Sequence, residues 1–285
     1  MASMRDIRRR IRTARNIQQI TKALQMVAAA RLQRAQSRAA AARPYAHEMT
    51  VVMGHLAAAG IEIEHPLLEV REPANIAIVL ITSDRGMAGS YNVNVIRTAS
   101  ELAASYDKSS VKFVTVGRKG RMFLARRGFQ IAADFPMPSS EVNFADARDV
   151  SRTVQNMFES REVDRVIVVY TRFLSAVSHR VTSSQLLPIA PVQVGETVKL
   201  EEYIFEPAPQ KLLASLLPRY VDNQIYEAML ESLASEHGAR MTAMRAATDN
   251  ASEMIDRLTL DFNRARQAAI TKEIAEIVSG AEALK

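Results

Sequence analysis

The sequence predicts an α plus α/β protein: a long antiparallel coiled coil of N- and C-terminal helices with an inserted, Rossmann-like open α/β domain. Three observations predict it. Residues 1–43 and 239–279 contain no glycine or proline. Apolar residues in both stretches recur at steps of three and four, the spacing of one helix face. Between them, short β-branched runs alternate with amphipathic stretches, the order expected of strands and helices in a sheet with mostly parallel strands.

The N-terminal stretch carries Ile7, Ile11 and Ala14, then Ile17, Ile20, Leu24 and Val27 on one side of a helix. The stripe then turns to alanine, Ala28 to Ala30, Ala35 and Ala39 to Ala42. Alanine has the highest helix propensity, and its small side chain lets a second backbone come close. Pro44 is the first punctuation. The pattern resumes through Met49, Val52, Met53 and Leu56 and closes near Gly60. At the other end, Met241, Met244, Thr248, Ala251, Ile255, Leu258, Phe262, Ala265 and Ala269 alternate steps of three and four without a break. That is a heptad seam. A helix from Pro209 through Gly238 to Ala283 would be roughly 110 Å long at 1.5 Å per residue, with Gly238 costing only about 1 kcal/mol. A seam needs a partner: the other terminus is the cheapest, with homodimerisation as the alternative. Phe262 and several Ala and Thr make it too irregular for a simple Leu/Ile zipper.

In the middle, Ala74–Ile81, Val111–Val116 and Val163–Tyr170 are nearly continuous apolar runs, as in buried parallel strands. Helices are expected at Tyr91–Tyr106, Lys119–Arg127 and Ala145–Glu159, with a further strand near His179–Ser184. The organisation read from these patterns is an N-terminal coiled-coil helix over 1–60, an α/β domain over 73–195, and a C-terminal coiled-coil helix over 208–285.

Composition removes several chemistries. With no cysteine there is no disulfide, thiolate nucleophile, Cys-ligated zinc or iron–sulfur cluster. The five histidines show no metal-binding spacing, and no Gly-x-Ser-x-Gly elbow occurs. No metal, cofactor or catalytic residue is therefore assigned. His237, beside Gly238, reads as a seam or surface histidine. The loop SDRGMAGSYN, residues 83–92, places Gly86 and Gly89 between a strand and a helix, and VGRKGR, residues 116–121, places Gly117 and Gly120 likewise. Neither has a phosphate-cradling spacing, so these glycines are assigned to turns.

Net charge is +6 but unevenly spread. Residues 1–43 hold eleven Arg or Lys and one acid, Asp6, while the remainder holds 26 bases against 30 acids. A basic head implies an anionic partner or a solvated helix face. Nucleic acid is the alternative partner, although residues 1–44 contain no aromatic side chain on which a base could stack. No apolar run reaches the roughly 20 residues that span a bilayer, so direct membrane insertion is not expected. The opening MASMRDIRRRIRTARN has the Arg-rich, acid-poor character of a mitochondrial presequence. The helical pattern nevertheless continues unbroken to Arg43, and the segment is read as mature protein.

Several long segments carry a family resemblance. RDIRRRIRTARNIQQITKALQMVAAARLQRAQ, residues 5–36, resembles the N-terminal helix of the gamma subunit of F-type ATP synthase, bacterial type. ITKEIAEIVSGAEA, residues 270–283, is similar to that family's C-terminal signature, with Ile270, Thr271, Glu273, Glu276, Gly280 and Ala281 in register. SDRGMAGSYN resembles the family's SDRGLCGxxN loop, with Ala88 where many relatives have cysteine. SSQLLP at 183–188, EPAPQKLL at 206–213 and RMTAMRAATDN at 240–250 also match, so the resemblance spans the chain in order.

The resemblance implies a non-catalytic central rotor shaft, coupling ion flow through a membrane ring to conformational changes at the catalytic beta subunits. The implied partners are the ATP synthase alpha, beta and epsilon subunits and the membrane c-ring, not nucleic acid. The implied location is peripheral, on the cytoplasmic face of the bacterial plasma membrane. By position in the matched motifs, Arg8, Arg9, Ile20, Lys22, Leu24, Met26 and Val27 are expected at the bearing and the levers of beta. Ile20, Leu24 and Val27 have seam core as an equal alternative. Arg266 and Gln267 are expected to catch a beta loop, with Thr271 and Glu273 in the same stretch. Tyr203, Phe205 and Glu206 match the foot on the rotor ring.

Overall fold

The glycine- and proline-free ends form the helices that their periodicity requires. In the computed structural model, which describes residues 4–58, 65–190 and 209–282, helix α1 is Met4–Ala58 and helix α5 is Pro209–Glu282. Between them lie β1 (Ile76–Ile81), α2 (Tyr91–Ala103), β2 (Val111–Val116), α3 (Arg118–Arg126), β3 (Gln130–Phe135), α4 (Phe144–Glu159), β4 (Arg165–Phe173) and β5 (His179–Leu187). α1 runs straight through Pro44. A proline there removes the bond to the carbonyl four residues back, but Ala40 and Pro44 are both exposed, so water can take that carbonyl.

The residues fall into two compact units. One contains residues 1–28 with 241–285, the other residues 29–240. In the larger unit, five strands form one sheet in the order β3-β2-β1-β4-β5. β1, β2, β3 and β4 are parallel, and β5 returns antiparallel to β4. All six residues of β1 are fully buried because both faces of the central strand are covered. On one face, Ile76, Ile78 and Leu80 pack with Val95, Ile96 and Ala99 of α2 and Leu124 of α3. α4 and α5 meet through Gln155, whose amide approaches Asp222 Oδ1 at 3.3 Å.

β3 was not expected from the sequence. Its side chains alternate exposed and half-buried, and QIAADF lacks the continuous apolar run that marks the inner strands. An edge strand needs only one paired side, so the apolar signal is weak. β4 and β5 extend to Phe173 and Leu187, beyond the expected Tyr170 and Ser184.

The largest departure concerns α5. From Ala228 to Ala239 every residue is buried, including Glu231, Glu236 and His237. His237 is therefore neither a seam nor a surface histidine of the helix pair. Burial, reinforced by Arg240 and Arg31, lowers its pKa to about 4 and keeps it neutral. Gly238 is also more than a tolerated helix breaker. A Cβ there would stand 2.9 Å from the carbonyl oxygen of Ala176, in the loop between β4 and β5. The absent side chain lets that loop lie against the helix.

Two stability predictions follow from this buried stretch. Alanine normally stabilises a helix interior by about 1 kcal/mol over glycine. Gly238→Ala is expected instead to destabilise by roughly 1–3 kcal/mol in urea unfolding, because backbone must shift to admit the methyl. Glu231 is pushed up to about 7 by burial and by Glu227, against the opposing Arg172 and Arg43. Its folded pKa lies above its unfolded one, so stability is fully present below the unfolded value and falls as pH rises through 7. Glu231→Gln should match the parent near pH 4 and exceed it by about 2 kcal/mol at pH 8, read from unfolding curves at both pH values.

Candidate partner-binding surface

The loop after β1 occupies the place where an open α/β sheet can bind a nucleotide, at the carboxyl ends of the strands. Four of its polar side chains are already engaged. Asn92 Oδ1 accepts from the Ser83 backbone N–H at 3.0 Å, and Ser83 Oγ donates to the Arg85 carbonyl at 2.6 Å. Asp84 Oδ1 accepts from the backbone N–H groups of Arg118 and Met137. Thr82 Oγ1 accepts from the Gly120 N–H at 2.9 Å. Gly117 sits at φ +98°, where a Cβ would fall 2.2 Å from the Thr82 carbonyl oxygen. It therefore serves the close packing of two loops, whereas Gly120, expected in a turn, lies inside α3 against Leu80 and Thr82. α5 closes the remaining space: Arg240 donates to the Gly86 carbonyl at 3.2 Å and to Glu236 at 2.6 Å. Ala239 packs on Ala88 and Tyr91. The loop is a docking element for α5, with the side chains of Thr82, Ser83, Asp84 and Asn92 committed to holding it.

The other unit is a helix pair. Thr21 of α1 and Thr248 of α5 meet hydroxyl to hydroxyl at 2.8 Å, and the Arg8 guanidinium lies over the Phe262 ring at 5.3 Å. Moving back along α1 corresponds to moving forward along α5, so the pair is antiparallel. Buried positions on α1 recur every seven residues, at Ile7, Ala14, Thr21 and Ala28; on α5 they are Met244, Ala251 and Leu258. These are heptad layers, built largely from small side chains. On α5 the seam is the expected one throughout.

On α1 the seam agrees with the apolar stripe only as far as Ala14. Gln18, Thr21, Gln25 and Ala28 then continue it, while the larger apolar residues are displaced to the flank. Ile20 is 60% exposed and Val27 49%, with Ile17 and Met26 similarly open. Leu24 is half-buried and Lys22 exposed. At 3.6 residues per turn, the line through Ile17, Ile20, Leu24 and Val27 lies about 100° around the helix from the seam. Apolar periodicity found a real stripe but not the one that pairs the helices, because in this seam closeness matters more than apolar area.

Arg8 and Arg9 are exposed, and Arg9 lies 3.1 Å from Asp6. At the far end of α5, Arg266, Gln267, Thr271 and Glu273 are exposed, with the Thr271 hydroxyl turned back to the Gln267 carbonyl. Residues 270–280 are exposed on every side, and the Arg8–Phe262 register leaves no described residue of α1 opposite them. Ile270, Ile274, Ile277 and Val278 are bare there, Ile277 at 71%. Along with Ile17, these apolar residues were missed as surface candidates. The signal available was their lack of any place in the heptad. Tyr203, Phe205 and Glu206 lie outside the described residues. Among the described residues no cluster of His, Asp or Glu could hold a metal, and no helix is long and apolar enough to cross a membrane.

The chain thus presents an antiparallel helix pair of N- and C-terminal segments, with large apolar side chains on its outside, and an α/β domain between them in sequence. A family model described as ATP synthase matches residues 3–284. The ATP synthase gamma chain of Heliobacterium modesticaldum is 49% identical over the full length of both chains. That of Symbiobacterium thermophilum is 50% identical, covering 98% of this chain and 97% of its own. A chain from the central stalk and c-ring structure of Tetrahymena thermophila mitochondrial ATP synthase superposes with a TM-score of 0.62 at 27% identity, covering 80% of this chain and 99% of that one. A chain from the Euglena gracilis enzyme shares the fold, with a TM-score of 0.70 at 17% identity, covering 99% and 94%. The chain belongs to the ATP synthase gamma-chain family, and its role is that of the central shaft.

The seam assignment is testable by stability alone. Thr21→Val with Thr248 retained should cost about 1 kcal/mol through the lost cross-helix hydrogen bond. Ala14→Leu should cost about 1–3 kcal/mol by forcing the backbones apart. Ile20→Ser, outside the seam, should change stability by less than about 0.5 kcal/mol. A large loss at Ile20 in chemical denaturation would place it in the core.

Proposed function

We propose that this chain is the non-catalytic rotor shaft of an F-type ATP synthase, coupling ion flow through a membrane ring to conformational changes at the catalytic beta subunits. The exposure of Ile20, Met26 and Val27, together with the bare isoleucines beyond residue 269, carries the reading. Large apolar side chains contiguous on a surface mark a face that another protein covers. Here they lie beside exposed arginines, as suits an apolar sleeve with an acidic rim. Stiffness comes from the pairing of the helices, and different faces from the irregular distribution of side chains around them.

On this reading Arg8, Arg9, Ile20, Lys22, Leu24, Met26 and Val27 face the alpha and beta subunits, as do Arg266, Gln267, Thr271 and Glu273. Tyr203, Phe205 and Glu206 contact the membrane ring, and this assignment rests on the family motif alone. The functional division is the terminal helices over 1–60 and 208–285 and the α/β domain over 73–195, with the shaft proper at the outer parts of the two helices, 1–28 and 241–285, and epsilon meeting the body. The shaft holds no cofactor. The protein is held at the cytoplasmic face of the membrane through its partners rather than by insertion.

Affinity purification of the tagged chain from solubilised membranes tests the reading. Recovery of alpha, beta and epsilon subunits is expected; recovery of nucleic acid with salt-sensitive affinity and no such subunits would replace it with the basic coiled-coil alternative. Arg266→Ala should cut coupled ATP synthesis about tenfold, through loss of a charge-assisted contact of about 1.5–3 kcal/mol. Because Arg266 is exposed, thermal unfolding should hardly change. Wild-type synthesis in a fully assembled Arg266→Ala enzyme would remove Arg266 from the coupling surface.

A further inference from the structure

The mildly acidic body conceals a second basic region. Residues 91–129 contain eight Arg or Lys and two acids, which leaves eighteen bases against twenty-eight acids elsewhere beyond Arg43. Apart from Lys112 on β2, whose neighbours Val111 and Phe113 face this side, the charge gathers on the α2–α3 side of the sheet. Part of it is neutralised: Lys112 pairs with Glu162 at 2.8 Å and Arg121 with Asp134 at 2.9 Å. Arg97 reaches Glu101 only at 4.0 Å. Arg118, Lys119, Arg126 and Arg127 form no ion pair within that distance among the described residues.

Beneath two of these cations is an apolar groove of about 430 Å³ between α2 and α3. Ile96 and Phe129 form its floor, Val93 and Phe123 its walls, and Arg97 and Arg127 stand at its rim. The volume falls in the range of pockets that take a ligand or an anchoring side chain, roughly 300–1,000 Å³. Val93 is 65% exposed although it borders apolar space. None of these residues belongs to the surfaces assigned to the shaft.

We propose that this groove docks a protein segment in which large apolar side chains are flanked by carboxylates. The apolar lining selects the anchor, and Arg127, which has no ion pair among the described residues, together with Arg97, paired to Glu101 only at 4.0 Å, selects the acidic flanks. Nucleic acid fits less well, because the aromatic faces that would stack a base are already covered. Arg127 lies over Phe123 at 5.2 Å, Lys108 lies over Phe129 at 5.1 Å, and Phe129 meets Phe113 edge-on. The groove lies within the body assigned to the epsilon contact, but the proposal rests on the groove's own lining and not on the rotor reading.

The test uses the full chain and a fluorescein-labelled peptide repeating Leu-Glu-Glu-Phe, with benzophenone in place of one ring for crosslinking. Saturable anisotropy is expected, with crosslinks mapping to residues 93–129. Val93→Asp, and separately Arg97→Glu combined with Arg127→Glu, should each weaken binding about tenfold or more. These positions are exposed, so unchanged melting curves will show that the variants fold; if one variant fails to fold, the other still decides. Equal binding of a peptide with serine in place of leucine and phenylalanine would reduce the effect to ion exchange and overturn the proposal. So would absence of saturable binding, or crosslinks confined to residues 1–43. If the same variants instead abolish cosedimentation with phosphatidylglycerol vesicles while peptide binding is unaffected, the occupant is a lipid surface and the proposal fails.

Discussion

The α/β body is organised around a helix that is buried on every side from Ala228 to Ala239. Most helices bury one stripe. This one is covered all round, and the constraint reaches into every neighbouring loop. The β4–β5 loop can lie on it only because Gly238 has no side chain. The β1 loop turns its polar groups inward and offers the Gly86 carbonyl to Arg240. Glu236 is buried next to Arg240, and His237 stays neutral beside two cations. The crevice that an open sheet elsewhere gives to a nucleotide is here filled by the protein's own helix.

The helix pair obeys a different constraint, close approach. Ala14, Thr21, Ala28 and Ala251 fill seam positions where a leucine zipper would place larger groups. Small layers bring the backbones together and forgo apolar burial between them. The large apolar side chains are thereby free to stand outside, at Ile17, Ile20, Met26 and Val27, where they can be buried only against something else. One choice of seam residues thus makes the pair slender and its exterior adhesive. For a shaft enclosed by other subunits, these are complementary requirements.

The parts of this architecture that were legible in the sequence are those with a single physical cause. β1, β2 and β4 are apolar because both sheet faces are covered, and the α5 seam repeats because one partner lies along it. Where two causes compete, local patterns misled. In α1 the apolar stripe and the pairing seam separate after Ala14, and periodicity follows the larger side chains. β3 carries an edge strand's diluted pattern. Gly238 reads from the sequence as a tolerated helix glycine beside a seam or surface histidine, whereas it records backbone contact with Ala176, 62 residues earlier in the chain. Such information is absent from any local window. The basic α2–α3 layer was hidden for another reason: summing charge over the whole body cancels it against distant carboxylates.

The same reasoning separates what the two units ask of their residues. In the body, polar groups such as the buried Ser83 and the half-buried Asp84 and Asn92 are spent on holding loops to one another, so a change there acts through folding. In the helix pair, the side chains that matter to a partner are those contributing least to the pair itself. Ile20 and Arg266 can be altered with little cost to the isolated chain, while Ala14 and Thr21 cannot. The pairing seam and the exposed apolar side chains therefore occupy different faces of the same helix, about 100° apart on α1. Variation on the outer face can change how the shaft engages its sleeve without first undoing the shaft.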